Sequence, residues 1–600
     1  MATEVNMPKD HPGPAYRPCV LACGLAIFLA SAANERTLAS DLPSPLAAES
    51  PISATTTAFM PFRAGVTKGG DAYVNIPVNL GRMPSGLNPG LTLNYLGRGD
   101  LARHTRHEAA DSLGYGWFVG GTSKISWCPK DAKPRSPELK LDGSDPLCVA
   151  NRRMVLARGE HLQPGAEYRT LLERFERVVV RGGPGLTEIW FELNRPDGLV
   201  VEFGRTSDAR HLVSTDPDGG GRDDIPMAWS FNRFADERGD EVRAEYFEDE
   251  TAGTWELKRL VFGFGQCEVR MRYAPRGDVS TASLGNYRST RRLRLHRIEA
   301  YVNGKKMREY RLESERTPSG WERLTRIQLC LFVGDGVASC LAPIVVGWIE
   351  PRVDLPSVKN IVDRVASPAQ TVQFSYGMLS ADGPHDFLFG ADESPFGAFS
   401  PSPHVRPDAV GEDGFSKAVV TDFVQTGSDA APVHQRYGYQ GRFWHSSNNW
   451  GAVGFAAIRK TDVASGLTTY TQYRLDFPHY GRPSAVIVYD GPFHEDAQPL
   501  ERSFVAYDAQ PITHGMARVL RPYALSNTKF FSENGVLRGV LQETVEEATL
   551  SERGIETVTL LSEWGTSATP VPSDTWGATR FRLDDVLQSR RREETPGSSY

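Results

Sequence analysis

Motifs of the commonest catalytic and nucleotide-binding sites are missing from this sequence of 600 residues. We find no G-x-S-x-G nucleophile elbow, no G-x-G-x-x-G fingerprint after a strand and no G-x-x-x-x-G-K-[ST] phosphate loop. No pair among its 7 cysteines has the C-x-x-C spacing of zinc or thioredoxin-like sites. The sequence therefore assigns no catalytic, cofactor-binding or metal-binding residue. An enzyme whose site has no recognised motif is kept as one of three hypotheses.

An excess of basic residues is also missing. The chain has 67 Lys and Arg against 74 Asp and Glu, a formal net charge of −7, and no basic stripe. Nucleic acid and anionic lipid attract proteins through clustered positive charge. The composition therefore argues against nucleic acid or a lipid surface as the main partner.

Long apolar runs are scarce. The longest, Cys19 to Ala33, has 15 residues, and a spanning helix needs roughly 20. Lys9 and Arg17 precede the run, and Ala30-Ser31-Ala32 lies near its end, which is the pattern of a signal peptide. We predict a signal peptide over 1–33, a flexible linker over 34–60, no transmembrane span in the mature chain, and a secreted or periplasmic protein. A buried N-terminal strand or a membrane anchor is the alternative for the apolar run.

Segments with a helical period are few. Only Ala166 to Val180 and Glu546 to Arg553 have some helical character, whereas 57 Gly and 41 Pro, spread along the chain, indicate many turns. Short alternating runs such as Glu188 to Leu193 and Glu241 to Phe247 are typical of half-buried strands. The pattern predicts a mainly all-β fold, a long curved antiparallel sheet with few short helices.

The clearest predicted hairpin is His296 to Leu312. Asn303-Gly304 supplies the two positive-φ positions of a tight turn. This register predicts that Ala300 packs against Met307 on one face and that Glu299 forms an ion pair with Arg308 on the other.

The stretch Ser112 to Pro129 combines glycines with large aromatic residues. Glycine suits sharp bends and close backbone approach, and aromatic side chains pack well on a pleated surface. We expect bends at the glycines and a pleat filled by the aromatic residues: Gly114, Gly116, Gly120 and Gly121; Tyr95, Tyr115, Trp117, Trp127, Trp190 and Trp229.

The same stretch, with other segments in the same order, resembles the N-terminal region of the Salmonella virulence plasmid B protein. That region is shared with the B component of insecticidal toxin complexes and with Rhs/YD-repeat proteins. The segments that carry the resemblance are Ala72 to Val78, Gly86 to Tyr95, Leu141 to Gly143, Asp197 to Gly204, Trp229 to Arg233, Tyr301 to Gly304, Leu324 to Cys330 and Cys340 to Pro343.

The resemblance implies a domain layout. It places a virulence-plasmid-B-like β domain at 61–351, a linker or irregular segment at 352–415 and an Rhs/toxin-complex middle-like β region at 416–585. The last part rests on Tyr437 to Tyr439, Gly454-Phe455 and Asp476 to Pro478. Only 27 residues separate Trp348 from Tyr376, so the propeller found between these regions in the toxin components is missing. We predict a disordered tail at 586–600.

The resemblance carries over no catalytic residue. The Arg, Ser-Thr-Ser and Glu-x-Glu trio of an ADP-ribosyltransferase does not occur together near the C-terminus, and the last 100 residues lack the core of the Rhs aspartyl protease. What the family implies is a β-shell that encloses or carries a toxin. Since a curved sheet that stops short of closure has unpaired edges, we expect a separate Rhs/YD-repeat toxin polypeptide as the partner.

Five cysteines follow the predicted signal peptide. In an exported chain, Cys330 is a candidate to bridge Cys340 across the Gly334-Asp335-Gly336 turn, and Cys128 a candidate to bridge Cys148. Cys267 lies in an alternating strand and is predicted to be buried.

Two polar segments contain part of the ligand set of a metal site. Asp216 to Asp224 has alternate carboxylates that suit calcium, but Gly220 occupies the third ligand position. His104 and His107 lack further ligands at zinc spacing. We therefore interpret the first segment as a solvated loop and the two histidines as surface residues.

The leading hypothesis is a non-enzymatic structural component of a toxin-complex-like shell. The alternative is an exported surface or periplasmic carbohydrate- or protein-binding β module, built on Phe443, Trp444, His445 and Trp450. We favour ordinary sheet packing as the explanation of these aromatic residues, because aromatic side chains are common in sheets.

Overall fold

The structure is a computed structural model. It describes residues 59–80, 87–97, 110–128, 143–213, 225–249, 252–284, 287–317, 320–332, 339–349, 361–379, 387–398, 405–407, 417–428, 431–445, 451–533, 536–551, 554–564, 572–583 and 586–593. The predicted signal peptide and nearly all of the predicted linker lie outside these residues.

The described chain is built from strands. The first part contains β1 Arg63–Val66, β2 Ala72–Pro77, β3 Thr92–Leu96, β4 Ala110–Asp111, β5 Gly114–Tyr115, β6 Trp117–Gly120, β7 Lys124–Trp127, β8 Leu147–Val149, β9 Arg152–Arg158, β10 Glu167–Thr170, β11 Arg177–Gly182, β12 Ile189–Asn194, β13 Val200–Phe203, β14 Arg210–Val213 and β15 Ile225–Ala235. A 3-10 helix, Ser207–Ala209, precedes β14.

The strands then lengthen. They are β16 Glu241–Asp249, β17 Thr254–Phe262, β18 Cys267–Leu284, β19 Tyr287–Val302, β20 Lys305–Arg316, β21 Glu322–Leu331, β22 Ser339–Cys340, β23 Ile344–Trp348, β24 Val362–Ala366, β25 Gln370–Leu379, β26 Val405–Pro407, β27 Lys417–Gly427 and β28 Val433–His445.

The last strands are β29 Gly451–Asp462, β30 Leu467–Tyr473, β31 Pro483–Asp490, β32 Glu501–His514, β33 Ala517–Glu533, β34 Val536–Ser551, β35 Gly554–Trp564, β36 Pro572–Leu583 and β37 Val586–Glu593. The all-β prediction is confirmed.

Three sets of strands make up the architecture. A small four-stranded sheet has the order β1-β2-β3-β6. A ring closes through β7, β8, β9, β10, β11, β12, β13 and β15, because β15 pairs with both β13 and β7. From the other edge of β15, at Arg233 to Ala235, an antiparallel ladder runs through β16 to β37, with β22 and β26 attached at its side. Outside these three sets, β14 pairs with β15, and β4 pairs with β5.

One large apolar cluster joins all three sets. It includes Leu93 of the small sheet, Phe191 of the ring and Phe374 of the ladder, each at most 3% exposed. Strands of the ring and the ladder bury alternate residues, as β12 does with its pattern of buried and half-buried positions. Burial of one face therefore holds the small sheet and the ring against the ladder.

The ladder returns to the ring at a distant point in the sequence. The turn between β32 and β33 lies against β9 and the end of β10, where Met516 N–H donates to Ala157 C=O at 2.8 Å. Glu173 N–H donates to Leu520 C=O at 2.9 Å, and Leu520 N–H donates to Leu171 C=O at 3.1 Å. We call this contact the closure seam.

Several expectations need correction. Within the predicted helical segment Ala166 to Val180 the chain forms β10 and the start of β11, because half-buried and buried positions alternate along β10 as they do in a sheet. The described residues of the other predicted helical segment, Glu546 to Arg553, belong to β34. The segment 352–415 was predicted to be irregular, yet it contains β24, β25 and β26. Most of the predicted disordered tail, 586–593, forms β37. In place of a few short helices, the described residues contain one 3-10 helix.

The predicted Asn303-Gly304 turn is present, with φ of 49° and 74°. Its register differs from the prediction, because Met307 is an extra residue that forms a bulge in β20. Ala300 therefore lies opposite Arg308, and Glu299 lies opposite Glu309.

Candidate functional site

The glycine-aromatic turn of Ser112 to Trp117 lies at the contact between the small sheet and the ladder. Gly114 has φ of 97°, and a Cβ there would lie 3.0 Å from the Glu322 carbonyl oxygen. Gly116 has φ of 72°, and a Cβ there would lie 2.8 Å from Tyr95 Cε2. Both positions therefore require glycine, through backbone conformation and through close approach.

Tyr95 is the centre of this contact. Its ring lies 5.5 Å from that of Trp117 and 6.0 Å from that of Trp348, the latter edge-on. Its hydroxyl accepts the Val362 N–H at 3.0 Å, and burial raises the pKa of this phenol. Tyr115 makes a second edge-on contact, 4.9 Å from Trp321. Tyr95 thus packs the small sheet on β23 and β24, and Tyr115 packs β5 on the residue that precedes β21.

The second half of the motif fills the ring. Trp127 Nε1–H donates to Pro226 C=O at 2.7 Å, and its ring lies 5.6 Å from Trp229. Trp229 in turn lies 5.0 Å from Phe191. Trp190 is half-buried, and the Arg205 guanidinium lies 5.2 Å from its ring centroid.

The four candidate cysteines form two disulfides. Cys128 and Cys148 join the end of β7 to β8, with Cα atoms 5.7 Å apart. Cys330 and Cys340 lie directly opposite each other in β21 and β22, with Cα atoms 3.9 Å apart. Cys267 is buried, as predicted, and belongs to neither disulfide. Each bridge thus ties together neighbouring strands of the sheet.

A buried histidine of β14 meets a buried serine of β15, a pair that sequence reasoning missed. His211 Nε2 lies 2.7 Å from Ser230 Oγ, and the imidazole stacks on Trp255 at 4.2 Å. Burial, with Lys124 nearby, lowers the pKa of His211 well below its usual value. A catalytic triad needs a carboxylate on the other ring nitrogen. Within the described residues, His211 Nδ1 has no hydrogen-bond partner.

An Arg-Gly-Asp sequence in β18 was also missed. Arg276 Nε–H donates to Asp278 Oδ1 at 2.8 Å, and these side chains are 0% and 1% exposed. Asp278 Oδ2 accepts the Glu322 N–H at 2.9 Å, and Glu322 Oε1 accepts the Gly277 N–H at 2.7 Å. These hydrogen bonds join the bulge of β18, between Pro275 and Ser280, to the start of β21. The Arg276 and Asp278 side chains are therefore not accessible for recognition by another protein. A proline and a glycine inside an alternating run were the available signal.

Paired charges cover one face of the ladder. Glu299 accepts hydrogen bonds from Lys306 Nζ at 2.6 Å and from Arg272 Nε at 2.8 Å. Burial would raise the pKa of Glu299, but these hydrogen bonds outweigh it and lower the pKa to about 2. Lys306 also donates to Glu309 Oε2 at 2.8 Å. The predicted Glu299 to Arg308 ion pair is wrong, since Arg308 instead donates to the Asn79 carbonyl oxygen at 2.7 Å.

No group of three or more His, Cys, Asp or Glu side chains that could hold a metal occurs in the part of the chain that the structure describes. The candidate segment Asp216 to Asp224, His104 and His107 lie outside the described residues, as does Trp450. The side chains of Phe443, Trp444 and His445 are likewise not described. Among the described residues, no helix has the length and apolar character needed to cross a membrane.

Comparison with known proteins gives structural likenesses only. No family model matches the chain, and no curated protein matches it in sequence. It is similar to the TcdB2-TccC3 crystal structure at 11% identity and a TM-score of 0.41, over 89% of this chain and 38% of that chain. For the Photorhabdus luminescens Tc holotoxin pore, the identity is 11% and the TM-score 0.40, over 89% of this chain and 37% of that chain.

A third likeness is to the N-terminal domain of the effector protein SpvB from Salmonella typhimurium strain LT2. Its identity is 13% and its TM-score 0.33, over 47% of this chain and 100% of that domain. The chain thus spans well under half of the toxin-complex chains. At such identities and scores, these likenesses carry no argument about activity or partners.

Proposed function

We propose that this protein is a non-enzymatic structural component of a toxin-complex-like β-shell that encloses or carries a toxin. The observation that carries the proposal is the ladder from β15 to β37, which leaves the ring at β15 and meets it again at the closure seam. The residues of the glycine-aromatic turn support the proposal, because they pack in the core, where they make the sheet of the shell more rigid.

The partner in this proposal is a separate Rhs/YD-repeat polypeptide that continues the wall. β37 pairs with β36, and no residue-by-residue pairing joins β37 to another of the described strands. A free strand edge offers unpaired N–H and C=O groups that favour pairing with another chain. We place the assembly outside the cytoplasm, in keeping with the predicted signal peptide and with two disulfides, which persist in oxidising compartments.

Co-expression with the polypeptides of the neighbouring reading frames tests the proposal. We expect one of them to copurify in a defined ratio and to add strands beyond β37 in a cryo-EM map. A double variant, Ser589→Pro with Arg590→Pro, removes backbone donors from successive positions of β37. It is expected to lose the partner while its ring and closure seam keep their stability. A monodisperse monomer that captures none of these polypeptides contradicts the proposal.

A further inference from the structure

A lysine from the small sheet reaches a tight turn of the ladder. Lys68 lies in the turn between β1 and β2, and its aliphatic end runs across Gly481. A Cβ on Gly481 would lie 2.0 Å from Lys68 Nζ and 2.7 Å from its Cε, and Gly481 has φ of 63°. The absence of a side chain at Gly481 therefore makes room for the ammonium group.

This ammonium has no counter-ion in the described part of the chain. No hydrogen bond or ion pair of Lys68 Nζ is found there, and the charged group that acts on the Lys68 pKa is another cation, Arg482. Burial, followed by the charge of Arg482, lowers the pKa of Lys68. A half-buried ammonium beside a second cation is unfavourable unless an anion lies close to it.

The two carboxylates near this turn are occupied. Asp476 accepts both hydrogen bonds of a bidentate pair with Arg474, each at 2.6 Å. Asp508 accepts the Ala509 N–H at 2.7 Å and the Tyr523 hydroxyl at 3.2 Å. Both carboxylates thus have hydrogen-bond partners other than Lys68.

A buried imidazole lies in the same turn. His479 is 5% exposed, and its Nδ1 has no hydrogen-bond partner within the described residues. Its ring stacks on Tyr507 at 5.6 Å, and the Arg482 guanidinium lies 5.4 Å from the same ring centroid. Both the histidine and the arginine therefore contact Tyr507, and both belong to the turn that Lys68 reaches.

We propose that Lys68, Arg482 and His479 form a binding site for a small oxyanion such as inorganic phosphate. Lys68 supplies a partly desolvated ammonium group, Arg482 supplies a planar set of N–H donors, and His479 supplies a ring N–H. Guanidinium and ammonium groups are the usual donors to such anions. This inference does not depend on the shell proposal, since binding is a property of the isolated chain.

Calorimetric titration of the full chain with sodium phosphate, at constant ionic strength, tests this site. We expect saturable binding by the wild type and a dissociation constant at least about tenfold weaker in Lys68→Met, which keeps the aliphatic length. Lys305→Met is the matched control, because Lys305 is exposed at a hairpin turn, and it is expected to bind as the wild type does. A parallel titration with acetate tests whether the site also takes carboxylates.

Proton exchange separates a ligand-binding lysine from a structural one. An anion beside Lys68 stabilises its charged form, so binding at alkaline pH takes up protons, and the measured heat then changes with the ionisation enthalpy of the buffer. Binding of either ion that is lost in Lys68→Met, with this buffer dependence, supports the site. Failure of the wild type to bind phosphate and acetate, or unchanged binding by Lys68→Met, overturns it.

Discussion

His514 Nε2 lies 2.6 Å from Glu173 Oε2, across a sequence separation of 341 residues. The Glu173 side chain is 0% exposed, and its other oxygen accepts the Phe175 N–H. Arg521 donates to the Glu173 carbonyl oxygen at 2.9 Å, and its guanidinium lies over the Phe175 ring. This pair holds the turn between β32 and β33 on the ring and makes the ladder a closed circuit rather than an open strip.

Replacing His514 with alanine is expected to loosen the closure seam. The buried Glu173 carboxylate loses the hydrogen-bond partner of its Oε2 atom, which costs about 1–3 kcal/mol. Hydrogen exchange should show faster exchange of the Met516 and Leu520 amides, while amides of the ring strands stay protected. Thr513→Ala, an exposed neighbour, is the control. Equal exchange in both variants would show that the pair does not hold the seam.

Gly515 provides a second test of the seam. It has φ of 57°, and a Cβ there would lie 2.2 Å from the Ala157 carbonyl oxygen. Gly515→Ala therefore adds a clash to the roughly 1 kcal/mol cost of a left-handed alanine. Gly466→Ala carries only the latter, because Gly466 has φ of 77° and nothing within 4 Å. Urea unfolding should rank Gly515→Ala as clearly less stable, and equal midpoints would refute the contact.

Glu299 predicts a specific acid dependence of stability. Its pKa is lowered to about 2 in the folded chain, so its contribution is present above the unfolded value near 4.5 and is lost as the pH falls toward 2. Glu299→Gln should therefore lower the free energy of unfolding by about 2 kcal/mol at pH 7, with a smaller difference from wild type at pH 3. Denaturant titrations at the two pH values measure this. A difference that does not shrink on acidification contradicts the assignment.

Reduction of the two disulfides is expected to destabilise the ring and the ladder separately. The Cys128–Cys148 bridge closes a separation of 20 residues and the Cys330–Cys340 bridge one of 10. Loops of this size are worth about 3 kcal/mol each in the chain-entropy description. A double Cys→Ser variant that removes one bridge should lower the melting temperature in thermal unfolding. Reductant should lower the melting temperature of that variant further only through the bridge that it still contains. Insensitivity of the wild type to reductant would contradict both bridges.

The sequence could predict the parts of this structure that depend on local pattern. Alternation along β12 and β16 predicted strands, and Asn303-Gly304 predicted a turn, because side chains alternate across a strand and a two-residue turn needs positive φ. The Met307 bulge escaped prediction, since one extra residue leaves the apolar pattern almost unchanged.

Contacts between distant segments could not be predicted. Glu173 and His514, or Lys68 and Gly481, meet only because of how the ladder curves, and neither pair has a spacing that marks it. The Arg276 to Asp278 bulge had a local signal, Pro275 and Gly277 within a strand, but its burial against Glu322 depends on the tertiary fold. The serine and histidine pair of β14 and β15 likewise joins two strands without a motif.

The most direct test of the shell account is a cryo-EM structure of the chain purified from co-expression with the neighbouring reading frames. The account predicts that a second polypeptide continues the antiparallel ladder beyond β37 and encloses a cavity with it. A single chain whose β37 edge stays free in solution, with none of those polypeptides bound, would contradict it.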